Sequence, residues 1–265
     1  MLRLSYIEAD SFLHRLDPTN KFLWLIGTAF LSYVVTNPVH QTVVLLLTVL
    51  TALVLGRLPL KEFFWGMTLF VTFGVILFIM QVLFYVGADQ AVLFTVGPVH
   101  IRTAGFIFGL NLAIRVFVLG ASALSFIMTT EPRRMIYDMV VRLRFPYRFA
   151  FVFYAALRFI PIFENEANNI LNAQAVRGSA EVEKGLLGKI KVYKRLGVPL
   201  ITSGLKKAKL SAIAMDARAF GAYPTRTMTY TYDTPRVGYL FGATPWVAFV
   251  AYLSWLLATG GWHIS

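Results

Sequence analysis

The sequence contains no cysteine and has few charged residues. The missing cysteine excludes disulfide bonds and thiolate metal sites. Charged residues make up 14% of the 265 positions, while 57% are hydrophobic. Soluble domains carry about 25% charged residues, and the mean hydropathy of this chain is +0.65. This composition excludes an ordinary soluble domain and predicts a protein that crosses a membrane several times.

The sequence also lacks the motifs of catalytic and cofactor sites. It has no G-x-x-x-x-G-K-[ST] motif, so it does not bind ATP through a phosphate-binding loop of that type. Asp216-Ala217-Arg218 is superficially like the acidic motif of membrane phosphatidyltransferases, but only Asp233 follows it to serve as a further metal ligand. The histidines are scattered and have no carboxylate at ligand spacing: His14, His40, His100 and His263. We therefore expect no enzyme activity, metal site or cofactor in this chain.

Long apolar stretches predict five membrane-spanning helices. About 20 residues are needed to cross the hydrocarbon core as a helix. The first stretch, residues 22–56, is longer than one span and contains the turn signal Asn37-Pro38, which divides it into two. The predicted spans are residues 22–36, 40–56, 63–86, 103–128 and 238–258.

The distribution of lysine and arginine predicts the orientation. Residues 131–236 carry 18 of the 25 basic residues against 8 acidic ones, whereas residues 37–39 and the tail after Ala258 carry no basic residue. By the positive-inside rule the N-terminus and residues 131–236 are cytoplasmic, and the C-terminus is external. The same rule and anionic lipid headgroups account for the net charge of +12, so nucleic-acid binding is not expected.

These features predict an all-α polytopic membrane protein with a helical cytoplasmic domain. The predicted parts are residues 1–130 with four spans, the cytoplasmic residues 131–236, and residues 237–265 with the last span and an external tail. Within the insertion we expect helices from Pro132 to Phe145, from Tyr147 to about Arg177, and from Pro199 onward. The last of these carries an apolar stripe that we expect to pack against another helix: Ile201, Leu205, Ala208, Ala212 and Met215.

Two of the cytoplasmic helices end on an arginine between small residues. The first triplet is Val176-Arg177-Gly178 and the second is Ala217-Arg218-Ala219. A single arginine at a helix C-terminus is explained by the helix dipole, and a following glycine by routine capping. Two such ends in a chain without its own motor favour docking into another protein, because the planar guanidinium makes several hydrogen bonds at once.

Two features inside the predicted spans have alternative explanations. Arg115 is a charge well within the fourth span and is a functional candidate by default, or else pairs with polar groups of a neighbouring helix. The same helix has a face of small residues that allows close helix packing, either within the subunit or with a partner: Gly105, Gly109, Ala113 and Ala121.

In these motifs the chain resembles the transmembrane T component (EcfT/CbiQ-like) of energy-coupling-factor (ECF) ABC transporters. The resemblance rests on four segments in this order: residues 14–21, 157–161, 173–178 and 214–221. The pattern of the family is often Ala-Arg-Gly at both helix ends, which this chain keeps only in part.

The resemblance implies a non-catalytic subunit of a bacterial or archaeal cell membrane. Its partners would be two ATP-binding-cassette ATPase subunits, which bind ATP and Mg, and a membrane-embedded substrate-binding S component. The arginine triplets would end two coupling helices that contact the ATPases. The cargo class would be a vitamin or a transition-metal ion.

The sequence leaves a self-contained channel or secondary carrier as the alternative. Such a protein would need polar or ionisable side chains along several spans, and apart from Arg115 the spans hold almost none. A membrane enzyme, the third possibility, would show acids or histidines clustered at one membrane face. The composition of the spans therefore favours the coupling subunit.

Overall fold

The computed structural model describes residues 6–7, 9–85, 92–96, 99–176, 186–223 and 237–259. The chain divides into two units, one made of Met1–Asp138 with Tyr232–Ser265 and the other of Met139–Thr231. The predicted cytoplasmic part, residues 131–236, extends beyond the second unit at both ends. Residues 131–138 belong to the first unit because Arg134 and Asp138 contact the segment before and at the start of the second helix.

The described residues are almost entirely helical. The helices are α1 (Phe12–Arg15), α2 (Pro18–Val34), α3 (Pro38–Leu50), continued by a π-helix (Thr51–Leu55), α4 (Leu60–Phe84), α5 (Thr103–Thr129), α6 (Pro132–Val141), α7 (Tyr147–Gln174), α8 (Leu186–Asp216) and α9 (Val237–Ala258). The all-α polytopic prediction is confirmed.

Four of these helices are long and apolar enough to cross a membrane. They are Pro38–Leu55, Leu60–Phe84, Thr103–Thr129 and Val237–Ala258. The first predicted span, residues 22–36, corresponds to α2, which has 17 residues and a length of about 26 Å at 1.5 Å per residue. This is slightly less than the roughly 30 Å hydrocarbon core. The count of five spans therefore stays a prediction.

Prolines fix the start of two helices and are accommodated inside others. Pro18 and Pro38 occupy the first turns of α2 and α3, where the missing N–H has no helical partner to lose. The Asn37 side chain accepts a hydrogen bond from the Val39 amide at 2.9 Å and caps α3. Pro199 was expected to begin a helix, which is wrong, because α8 already begins at Leu186. On a solvent-exposed helix, water can hydrate the carbonyl that a proline leaves without a donor.

The first unit is held together by close packing of α4 on α5 and of α2 on α9. Gly74 lies under the ring of Phe117, and Gly120 lies under the ring of Phe70. Each glycine therefore receives an aromatic ring from the opposite helix. In the second pair of helices, Trp24 of α2 stacks on Phe241 of α9 with ring centroids 5.4 Å apart.

A short β-hairpin joins α4 to α5, and the sequence analysis did not predict it. Strand β1 (Val92–Val96) pairs antiparallel with β2 (Val99–Arg102), with Thr95 opposite His100. The strands consist mainly of β-branched and aromatic residues, which favour extended backbone. Because each strand is so short, composition alone gave too little signal to detect it.

Candidate coupling surface

Helices α7 and α8 form an antiparallel pair in the second unit. Residues near the start of α7 contact the end of α8, as in the contact of Phe151 with Phe220. Residues farther along α7 contact earlier positions of α8, as in the contact of Glu166 with Lys207. The two helices therefore run in opposite directions.

The middle of the helix pair combines close packing with an ion pair. A side chain at Gly204 would meet the Phe163 ring, since its Cβ would lie 2.9 Å from Cε1. The Lys207 ammonium donates to Glu166 Oε2 at 2.6 Å, and the Ser203 hydroxyl donates to Oε1 at 3.0 Å. The hydrogen bond from Lys207 lowers the pKa of the Glu166 carboxyl most, and the bond from Ser203 lowers it further. Glu166 is thus held as a carboxylate that fixes the register of the two helices.

The face of α8 that meets α7 is not the apolar stripe predicted from the sequence. Ile201 and Leu205 are 65% and 67% exposed, and Ala208 and Ala212 are also exposed. Met215 is half-buried. The expectation that this stripe packs against a helix is wrong for the described chain, because α7 contacts the neighbouring face of Ser203, Gly204 and Lys207 instead.

The end of α8 is fastened to the beginning of α7. Arg148 donates to the Gly221 carbonyl at 2.6 Å, and the Tyr147 hydroxyl donates to the Tyr223 carbonyl at 2.9 Å. The rings of Phe151 and Phe220 pack with centroids 4.7 Å apart. Two hydrogen bonds and an aromatic contact therefore fix the backbone that follows α8.

The second arginine triplet forms the C-terminal cap of α8. The Phe220 amide donates to the Met215 carbonyl and the Ala219 amide to the Asp216 carbonyl, each at 3.0 Å. Ala219 adopts the left-handed conformation with φ 53°. This is the Schellman arrangement, in which Arg218 is the C-cap residue. Glycine would adopt the conformation of Ala219 without strain, which gives a physical reason for Gly in the family pattern.

Arg218 is presented to solvent at this fixed helix end. Its side chain is exposed, as are Ala217 and Ala219. Within the described ranges, the Arg218 guanidinium makes no hydrogen bond or ion pair. The cap therefore positions a charged, hydrogen-bonding group that has no partner among the residues the structure describes.

The first triplet lies at the limit of the described residues. Helix α7 ends at Gln174, and Val176 is 89% exposed. Arg177 and Gly178 lie outside the described residues. Their assignment as a docking end stays a prediction.

Arg115 contacts the end of α2. Its guanidinium donates to the carbonyls of Ser32 and Tyr33 at 3.1 Å and of Val35 at 3.4 Å. It also lies over the Tyr33 ring, 5.4 Å from the centroid. These carbonyls lie at the C-terminal end of a helix, where intrahelical donors run out. The structure thus gives Arg115 polar partners on a neighbouring helix, a role in the packing of α2 on α5.

The small-residue face of α5 is buried inside the first unit. Side chains at Gly105 and Gly109 would meet Tyr85 and Phe78 at the end of α4. Ala113 is 5% exposed and Ala121 is fully buried. The structure therefore places these four residues in packing contacts within the chain.

A cluster of buried polar side chains lies where α2 begins. The sequence analysis quoted residues 14–21 for the resemblance but did not predict that they contact α6. The residues of the cluster are Asp17, Asn20, Lys21, Arg134 and Asp138, and the first three together with Asp138 are at most 3% exposed. Arg134 and Asp138 are four residues apart on α6, a spacing that places both on one helix face. That spacing was the available signal, but it did not reveal the partner helix.

The fold and the paired helices define the class as a polytopic membrane protein with a separate helical unit. The family CbiQ, described as "Cobalt transport protein", matches residues 9–230. The chain therefore belongs to the CbiQ family and is an EcfT/CbiQ-like T component.

Relatives from three bacteria support this assignment, each described as "Energy-coupling factor transporter transmembrane protein EcfT". The Streptococcus equi protein is 29% identical over 231 residues, covering 84% of each chain. The Bacillus selenitireducens protein is 30% identical over 230 residues, again covering 84% of each. The Brevibacillus brevis protein is 30% identical over 236 residues, covering 86% of this chain and 89% of its own.

Proposed function

We propose that this chain is the coupling subunit of an ECF-type importer. It would transmit ATP-driven movement from two cytoplasmic ATP-binding-cassette ATPases to a membrane-embedded S component. ATP and Mg would be bound by the ATPases and not by this chain. The membership in a family of transport components and the relatives named as ECF transmembrane proteins support this proposal.

The observation that carries the proposal is the presentation of Arg218. A guanidinium on a flexible loop loses conformational freedom when it binds. Here the Schellman cap and the contacts of Arg148 and Tyr147 hold the backbone in advance. An exposed arginine at a fixed backbone position, with no partner among the described residues, suits insertion into a groove lined by carboxylates and carbonyls.

The proposed cargo is a vitamin or a transition-metal ion. The description of the family as a cobalt transport protein supports the metal ion. Among the described residues, no group of three His, Asp or Glu side chains is arranged to hold a metal ion. On the basis of the family resemblance, the proposal assigns cargo recognition to the S component.

The experiment that tests the function is purification of the tagged chain from its native membrane, followed by reconstitution in liposomes. We expect two ATP-binding-cassette ATPases and a small membrane protein to co-purify, and uptake to require ATP. Transport by the chain alone, driven by an ion gradient and without ATPases, would instead show a secondary carrier.

We also predict that the N-terminus and residues 131–236 are cytoplasmic and the C-terminus is external. Because the chain has no cysteine, single replacements report their own position. A membrane-impermeant thiol reagent should label Asp89→Cys and Ser265→Cys in intact cells, and Glu183→Cys only after lysis. Labelling of Glu183→Cys in intact cells would contradict the orientation.

A further inference from the structure

Helix α6 holds the ends of two other helices through Arg134 and Asp138. The Arg134 guanidinium donates to the carbonyls of His14 and Arg15, both at 3.2 Å, at the end of α1. It also lies 3.6 Å from the Asp17 carboxylate, whose side chain is fully buried. The last carbonyls of a helix have no intrahelical donor, and the guanidinium supplies one.

Asp138 provides the opposite charge for the opposite kind of helix end. Its Oδ2 accepts from the Thr19 amide at 3.3 Å and from the Thr19 hydroxyl at 3.2 Å. Thr19 lies in the first turn of α2, where amides have no intrahelical acceptor and a carboxylate is favoured. One turn of α6 therefore engages the end of α1 and the start of α2 together.

The first turn of α2 extends these contacts to α5 and α9. The Lys21 ammonium donates to the carbonyl of Thr129, the last residue of α5, at 2.7 Å. Asn20 donates to Asp17 at 3.3 Å and lies against Gly238 and Gly242 of α9, where a Cβ would approach within 2.8 and 3.0 Å of it. The polar cluster defined above thus joins α1, α2, α5, α6 and α9.

The cluster includes Asp138, the residue at which the chain leaves the first unit. The chain returns to that unit at Tyr232, shortly before α9. Any displacement passed along the backbone from the second unit enters the first through α6 or through the segment leading into α9. Both routes lead to helices that the cluster ties to α2.

We infer that Arg134 and Asp138 are positioning residues that fasten α6 to α1 and α2, so that movement of the cytoplasmic helices reaches the membrane helices through this polar cluster. The inference rests on the proposed coupling function. Buried charges with such partners are rigid, because opening the contact leaves a charge without compensation in a low-dielectric site. A rigid contact transmits displacement, whereas an apolar contact of similar area can slide.

The test compares ATP hydrolysis with uptake in the reconstituted complex. In Asp138→Ala, Thr19 loses both hydrogen bonds, and we expect ATPases to stay bound and hydrolysis to stay within about twofold. Uptake per ATP should fall by about tenfold. Asp138→Asn, which keeps one acceptor oxygen, should show a smaller fall. Asp10→Ala is the control, since that carboxylate is exposed and pairs only at the surface with Arg15, 2.8 Å away.

A purely structural role would give a different result. Hydrolysis and uptake would then fall in parallel with the unfolding temperature, so that their ratio stays at the wild-type value, and this would overturn the inference. The inference would also be overturned if Asp138→Asn and Arg134→Lys both showed wild-type rates of hydrolysis and the wild-type ratio of uptake to hydrolysis. If Asp138→Ala does not reach the membrane, these two conservative variants carry the test. Absence of ATPases from the wild-type preparation would contradict the proposed function itself.

Discussion

Replacing both Arg177 and Arg218 by glutamate is expected to abolish ATPase binding and uptake while the chain still inserts in the membrane. Arg218 is exposed at the capped end of α8, and in the proposed complex it would become a desolvated, hydrogen-bonded charge. Truncating one partner of such a pair costs about 2–5 kcal/mol. This corresponds to binding that is roughly thirty-fold to several thousand-fold weaker.

Each single replacement is expected to give only a partial defect. With two docking ends, the contact that remains holds the second ATPase site at a high effective concentration. Arg218→Gln should weaken binding less than Arg218→Glu, because it removes the charge without introducing repulsion. The measurements are co-purification of the ATPases and the initial rate of uptake.

Arg142→Glu is the matched control for the general loss of positive charge. Arg142 directly follows α6 and lies outside both triplets, so its replacement should matter less for ATPase binding. Wild-type transport with ATPases bound in the double arginine variant would contradict the docking assignment. The dipole and capping explanation of the two helix ends would then be sufficient.

Gly120→Ala is expected to destabilise the first unit strongly, although it adds only one methyl group. The new Cβ would clash with Cγ of Phe70 and would lie 2.8 Å from its Cβ. These atoms belong to the base of the ring, which cannot move aside without shifting α4. Overpacking of this kind typically costs about 1–3 kcal/mol. The measurement is the unfolding temperature of the purified protein in detergent.

The double replacement Gly120→Ala with Phe70→Leu should recover much of the lost stability, since the smaller side chain relieves the contact. Gly197→Ala is the control with the same chemical change, because no atom lies within 4 Å of its new Cβ. It should be neutral or stabilising by up to about 1 kcal/mol through helix propensity. Equal unfolding temperatures for Gly120→Ala and wild type would show that α5 and α4 do not pack through this glycine.

The two arginine ends illustrate how far the sequence leads toward the site. The triplet Ala217-Arg218-Ala219 was placed at a helix end from local pattern alone, and α8 does end there. The pattern did not show that Ala219 adopts the left-handed conformation. It also did not show that Arg148 and Tyr147, some seventy residues earlier, hold the end in place. Such contacts depend on the path of the whole helix pair.

The pairing of α7 and α8 shows why the predicted interface was wrong. Ile201 and Leu205 are spaced so that they share one face of α8. Ser203, Gly204 and Lys207 are spaced in the same way and share the adjacent face. Apolar character favoured the stripe, while the small size of Gly204 and the charge of Glu166 favoured the other face. Periodicity shows which residues share a face, and only the partner helix decides which face is used.

Several features depend only on composition and on residues near one another along the chain, and these could be predicted. These are the membrane class, the approximate bounds of α3, α4, α5 and α9, and the starts of helices at Pro132 and Tyr147. They follow from hydrophobic length, proline geometry and capping, which act within a few residues.

Contacts between distant residues became known only from the folded chain. Asp138 and Thr19 are 119 residues apart, and Arg115 and Ser32 are 83 residues apart. In both pairs a side chain supplies the hydrogen bonds that the end of another helix lacks. The sequence shows where helices end, and therefore which backbone groups need partners, but only folding shows which distant side chain provides them, because many polar residues could have done so.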